Sequence, residues 1–259
     1  MVILEIKELI KDFLGLRAIN NVSIDVREKE IFGLIGPNGS GKTTLFNLIT
    51  GFLKPNKGLI FYKGQLISGK EPYEIARLGL LRTFQLVNLF PNLTVEENII
   101  AGCHLISTDS FVSSIFYNKG FRKSIKKIDS RAQEIMEFLN LSIYKNVIAK
   151  SLPLGEERKL ELAITLASNP SFLLLDEQWA GMNQKESVEL SRCIKNIRDE
   201  VGITMIVVEH NMSVVMELCD RIAVLDYGSK IAEGTPREIA TNKTVISVYL
   251  GSKYEDSGN

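Results

Sequence analysis

Leu34 to Leu45 reads LIGPNGSGKTTL, with an apolar run, EIFGLI, leading into it and a helical run, LFNLITGF, leading out. Glycine weakens regular structure, so Gly36, Gly39 and Gly41 mark a backbone that turns tightly or lets another group approach closely. Gly36 to Thr43 fits the spacing GxxxxGK[ST], and it stands after a strand and before a helix, the context that pattern requires. In such a loop, here Gly36, Pro37, Asn38, Gly39, Ser40 and Gly41, the backbone N–H groups of all but Pro37 join the positive end of the following helix to form a nest for phosphate oxygens. Lys42 then reaches the β- and γ-phosphates as a point charge, the Thr43 hydroxyl ligates Mg²⁺, and Thr44 adds a second hydroxyl. The loop is read as a holder of a nucleoside triphosphate.

The rest of the chain bounds that reading. At 259 residues it suits one large domain, or one domain with a subdomain, and can bury a sizeable core. Lys and Arg number 31 and Asp and Glu also 31, so there is no global basic field to draw it onto nucleic acid or acidic lipid. Cys103, Cys193 and Cys219 are widely spaced and make no CxxC pair, which argues against both disulfide and zinc and fits a reducing compartment. The opening MVILEIKELIKDF lacks the apolar core of a secretory signal, and no stretch approaches the roughly 20 apolar residues needed to span a bilayer. A soluble protein is expected, tied to a membrane only through other chains.

Along the chain, VILEI and VSIDV read as short strands with turns at Gly15 and at Asn20–Asn21, and GLIFYKGQLI as a further β segment. From about Pro72 to Lys150, PYEIARLGL, TVEENIIAGCHL and SRAQEIMEFLNL show helical apolar spacing. The basic run Lys119 to Arg131 is either a solvated helix face or a contact for a partner protein or lipid head groups. After Leu152 helices alternate with apolar strands, SFLLLDE and TMIVVEH, before DRIAVLDYGSKIAEG makes two strands across a Tyr227–Gly228 turn. This rhythm predicts a mostly parallel sheet covered on both faces, with ligands beyond the carboxyl ends of its strands.

Two of those strand ends carry chemistry. FLLLDEQ delivers Asp176 and Glu177 to the sheet edge; in phosphate-loop proteins the strand-end Asp holds Mg²⁺, usually through water. Glu177, one residue on, is placed to orient and polarise an attacking water, help worth about 10²–10⁴-fold in rate. The bland alternative is a pair of solvated turn carboxylates. TMIVVEHNM sets His210 at another strand end, where an imidazole can hold γ-phosphate and water in register; alone it would read as a structural histidine.

With these residues assembled, the chain resembles the ATP-binding subunit of ABC transporters over nearly its whole length. The resemblance implies an α/β P-loop NTPase fold of the ABC ATPase type: a single domain, 1–259, whose nucleotide-binding core with an N-terminal antiparallel β part occupies 1–71 and 151–259, with a helical subdomain at approximately 72–150. It implies that Gln85, in LLRTFQLVNLFPNLTVEENI, senses Mg²⁺ and the γ-phosphate, that His210 is the switch histidine, and that Phe13 stacks on adenine. The basic insert before FLNL, the segments LPLGEERKLELA and DEQWAGMN, and the ending GTPREIATNKTVISVYLG resemble the branched-chain amino acid type, although ATPases for urea or amide-like solutes look similar. The partners implied are two transmembrane permease subunits, a related second ATPase subunit or another copy of this chain, and, indirectly, an extracytoplasmic solute-binding protein. The place implied is the cytoplasmic face of the cell membrane, with no nucleic acid involved.

Where the general ABC signature is LSGGQ, this chain has Leu152, Pro153, Leu154, Gly155 and Glu156. In the family dimer the signature of one subunit reaches the ATP on the other, so Gly155 keeps an amide for the partner's ATP. Pro153 has neither hydroxyl nor N–H, and is expected in the first turn of the following helix. Gln178 stands where the family usually has Pro, and Asn183 near its usual Asp. A soluble ABC ATPase acting on ribosomes or DNA is the main competing class; the paired cassettes, long inserts or basic surface that mark it are not seen. A small-metabolite kinase has no use for Gln85, the signature and His210 together, and a subunit without turnover is suggested only by Pro153.

Overall fold

The computed structural model describes residues 1–83, 89–103 and 119–255, with side chains described at 1–83, 89–103 and 126–249. These fall into two compact units that interleave in sequence: Met1–Arg82, Ser171–Trp179 and Ile194–Asn259 in the first, Thr83–Pro170 and Ala180–Cys193 in the second.

The first unit holds two sheets. Strands β1 (Val2–Phe13), β2 (Leu16–Arg27), β4 (Lys57–Tyr62) and β5 (Gln65–Leu66) form an antiparallel sheet in the order β2-β1-β4-β5. Strands β3 (Ile31–Ile35), β6 (Leu80–Arg82), β7 (Phe172–Asp176), β8 (Thr204–Val208), β9 (Arg221–Asp226) and β10 (Ser229–Gly234) form the second, ordered β10-β9-β3-β8-β7-β6. All its pairings are parallel except β9 with β10. IFGLI, FLLLD and TMIVV are buried at every residue, as apolar strands covered on both faces must be. Helices α1 (Lys42–Ile49), α2 (Pro72–Arg77), α7 (Met212–Leu218), α8 (Pro236–Thr241) and α9 (Lys243–Glu255) complete the unit.

Two local expectations are corrected. Asn20–Asn21 is not a turn: β2 runs through it, and Asn21 takes a left-handed φ of 53° that asparagine tolerates, where the pairing with β1 shifts register. PYEIARLGL is not one helix: Gly79, at φ 90°, ends it, and Leu80–Arg82 pairs with β7 instead. A Cβ on Gly79 would stand 2.8 Å from Ser171 Oγ. Tyr62 packs edge-on against Phe172, centroids 5.8 Å apart, and shares a 2.8 Å hydrogen bond with Ser171.

The second unit contains α3 (Val95–Gly102), α4 (Lys119–Phe138), α5 (Leu154–Ala167) and the first residues of α6 (Gln184–Asn196). Thr94 and Glu97 cap α3 reciprocally, which satisfies two otherwise orphaned amides. Gly102 lets α3 lie close on α5, since an added Cβ would meet Ile164 O at 2.5 Å.

Candidate functional site

The parallel sheet sets β3 beside β8 and β8 beside β7, so the carboxyl ends of the three strands open on one edge. The crevice outside the carboxyl ends of the strands is where open α/β sheets bind ligands. The loop leaving β3 is shaped by its glycines. Gly36 has φ 153°, and a Cβ there would lie 2.1 Å from Leu225 O; Gly41 has φ 104° and would clash with Ala18 O at 2.7 Å. Only glycine fits either place. Backbone bonds from Gly228 N–H to Ser40 O, 3.0 Å, and from Asn20 N–H to Gly228 O, 2.8 Å, brace the loop against the β9–β10 turn.

Gly41 caps α1 without a side chain, so the first-turn amides of the helix, from Lys42 onward, keep their capacity to donate to an anion. Lys42 is buried in the loop, its ammonium donating to Gly36 O at 2.8 Å and Pro37 O at 2.9 Å. Burial pushes its pKa below the ordinary value, while Glu177 and Asp176 pull the other way. A buried cation held by loop carbonyls, with helix amides beside it, is a fit for a polyphosphate: the anion supplies the counter-charge that burial otherwise denies.

A cavity of about 360 Å³ opens over this loop. Asn38, Gly39, Gly41, Lys42, Thr43 and Thr44 line its floor, Glu177 and His210 one wall, and Phe13, Arg17 and Tyr227 the rim. Phe13 is partly exposed there, with the Lys11 ammonium 5.0 Å from its ring centroid. Glu177 and His210 meet directly, Oε1 to Nε2 2.9 Å. Glu177 takes φ 52° just past the end of β7, and its N–H donates to Val208 O at 2.9 Å, so strand pairing continues one residue past Asp176 while the chain turns. Asp176 itself is buried, and its charge acts on Lys42.

The structure therefore gathers Phe13, Gly39, Gly41, Lys42, Thr43, Thr44, Glu177 and His210 around one cavity, with Gly36, Pro37 and Ser40 in the loop beneath and Asp176 beside it. Gln85 lies outside the described residues. Gly155 belongs to the second unit, where its Cα hydrogen faces Glu186, and Pro153 is the extended cap before α5, not a residue of its first turn.

Three residues near the reacting end escaped the sequence reading. Arg82 donates to Asp176 Oδ2 at 2.6 Å and to Asn47 Oδ1 at 2.6 Å. Glu209 is buried and accepts the N–H groups of Trp179 at 3.0 Å and His210 at 2.9 Å, tying the segment after Glu177 to the one bearing His210. The only sequence signals were a charge closing each of two short apolar runs. The third is Tyr249 on α9, whose hydroxyl accepts the Gly36 N–H and whose pKa burial pushes up to about 12.

Comparison with known proteins gives a consistent result. The ABC transporter family model matches residues 19–180, and the model for the branched-chain amino acid ATP-binding cassette transporter matches 229–255. The high-affinity branched-chain amino acid transport ATP-binding protein BraF of Pseudomonas aeruginosa is 41% identical over 96% of this chain and 98% of its own length. LivG of Escherichia coli is 40% identical over the same shares. Among solved structures, the ADP conformation of MJ1267, an ATP-binding cassette of an ABC transporter, superposes with a TM-score of 0.84 at 32% identity, covering 97% of this chain and 99% of that one.

Proposed function

The chain belongs to the ABC transporter ATPase family, and on that premise we propose that it binds and hydrolyses ATP to energise an importer for branched-chain amino acids. The Glu177–His210 pair, 2.9 Å apart at the wall of a cavity floored by Lys42 and the first turn of α1, is the observation that carries the reading. BraF and LivG, both named as branched-chain amino acid transport proteins, support the solute class.

In this reading the loop amides and Lys42 bind the β- and γ-phosphates, and Phe13 stacks on the adenine. Thr43 and Asp176 would hold Mg²⁺, which supplies charge neutralisation on the phosphoryl group; one carboxylate, one hydroxyl and phosphate oxygens are the donor set that ion takes. Glu177 accepts a proton from the attacking water, and His210, whose Nε2–H donates to Glu177, holds that carboxylate in register with the γ-phosphate. Glu209 fixes the His210 backbone from behind. Gln85 would sense Mg²⁺ and the γ-phosphate. Binding closes a dimer and hydrolysis reopens it, a two-state element biased by the γ-phosphate.

The mate in that dimer is a related ATPase subunit or a second copy, and the pair works on two transmembrane permease subunits served by an external solute-binding protein. The chain sits on the cytoplasmic face of the membrane as a peripheral subunit; among the described residues no helix is long and apolar enough to cross a bilayer. Gly155 offers its amide to the mate's ATP, and Pro153 leaves that site one donor short, a deficit of about 1.5–3 kcal/mol for a charge-assisted bond. Mg-ATP titration of the purified chain and its Lys42→Ala variant tests the site, and co-purification with permease subunits from detergent-solubilised membranes tests the assembly. No measurable Mg-ATP affinity in the wild type would refute the proposal.

A further inference from the structure

Asp176 reaches the site with a cation already on it. The Arg82 guanidinium donates from Nη2 to Asp176 Oδ2 at 2.6 Å, from Nη1 to Asn47 Oδ1 at 2.6 Å, and lies 5.5 Å from the Phe46 ring centroid. Both partners of the ion pair are buried, at 9% and 7% side-chain exposure. Three different elements converge on this one side chain: the end of β6, the end of β7 and the body of α1. An ion pair of this kind is poor evidence of stabilisation, because desolvation offsets most of the attraction. Its presence beside a metal-binding carboxylate calls for another role.

Resting on the reading of Thr43 and Asp176 as the Mg²⁺ ligands, we propose that Arg82 is a positioning residue that competes for the Asp176 carboxylate and so sets a weak affinity for the metal when nucleotide is bound. The same positive charge repels an arriving dication and competes for Oδ2. A unit charge close to a divalent ion is worth on the order of tenfold in affinity even where water screens it. Arg82 is fixed by Asn47 and Phe46 as well as by Asp176, so it keeps its place when the carboxylate turns toward metal. Release of Mg²⁺ with product is thereby made easier in each cycle.

The test uses the full chain with a non-hydrolysable ATP analogue and Mn²⁺ as a spin probe in place of Mg²⁺. Nucleotide affinity in EDTA is measured first, then Mn²⁺ affinity of the nucleotide complex by electron paramagnetic resonance, for wild type, Arg82→Met and Arg82→Lys. Arg82→Met is expected to bind Mn²⁺ about tenfold more tightly with unchanged nucleotide affinity in EDTA, and Arg82→Lys to stay within about twofold of wild type. Equal or weaker Mn²⁺ affinity in Arg82→Met overturns the proposal. Should Arg82→Met fail to fold, the wild type decides the matter: the Arg82 guanidinium ¹⁵N resonances must shift when Mg²⁺ joins the nucleotide complex, and resonances that do not move overturn it. Wild type that binds nucleotide but shows no arginine effect refutes this role alone; wild type that binds no nucleotide refutes the functional reading as well.

Discussion

Glu177→Gln removes one proton-accepting oxygen and almost nothing else. The amide is isosteric, so it can keep the 2.9 Å contact with His210 Nε2, and the backbone turn at φ 52° with its 2.9 Å bond to Val208 O is untouched. The expected loss is the whole of the general-base contribution, about 10²–10⁴-fold in turnover, or roughly 2.7–5.5 kcal/mol on the barrier. Binding should move the other way. Glu177 is one of the two carboxylates acting on Lys42, and its negative charge opposes the triphosphate that the same cavity is proposed to take up. Its removal leaves ATP affinity unchanged or tighter. The assay is steady-state ATP hydrolysis in the reconstituted transporter, paired with nucleotide titration, so that kcat and binding are separated. His210→Ala serves as the comparison, since it keeps the carboxylate and removes the partner that holds it. Turnover within about threefold of wild type in Glu177→Gln, with binding intact, would refute the assignment of the base.

Lys42→Ala loses the ammonium that donates to Gly36 O and Pro37 O, and Mg-ATP affinity is expected to fall by roughly 10–100-fold or more, read by titration calorimetry. Gly36→Ala would place a Cβ 2.1 Å from Leu225 O; the thermal midpoint should drop by about 6–12 °C, and an unchanged midpoint would contradict the loop geometry. Tyr62 is buried and its pKa is raised to about 12, so the folded state keeps a proton that the unfolded chain gives up near pH 10. That stabilisation is complete below about pH 10 and is lost as pH climbs to about 12; Tyr62→Phe should flatten this alkaline limb by about 2–3 kcal/mol in urea unfolding series. Pro153→Ser gives α5 a hydroxyl cap it lacks, worth about 0.5–2 kcal/mol of stability, and should raise the turnover of the assembled transporter.

The phosphate loop was legible because its chemistry is local. Glycines at 36 and 41, a lysine and a threonine at fixed offsets must form one cradle wherever the strand before them ends, and their backbone angles are the ones the spacing demanded. Asp176, Glu177 and His210 were legible for a similar reason: an apolar run that stops on a polar residue delivers that residue to a sheet edge. Membership of the ABC ATPases followed from the order of these segments, and the comparisons bear it out.

Pairing across the sheet was not legible. The Glu177–His210 bond, the grip of Glu209 on two backbone amides, and the Arg82–Asp176 ion pair join residues 33, 30 and 94 positions apart, and each exists because β6, β7 and β8 lie side by side. The helical reading of PYEIARLGL takes in Leu80, since the three residues Leu80–Arg82 carry no periodicity and only hydrogen bonds to β7 make them a strand. Local spacing therefore determined which residues could touch a phosphate. The tertiary structure decided which charges face one another around it, because electrostatics acts through distances that sequence separation does not encode.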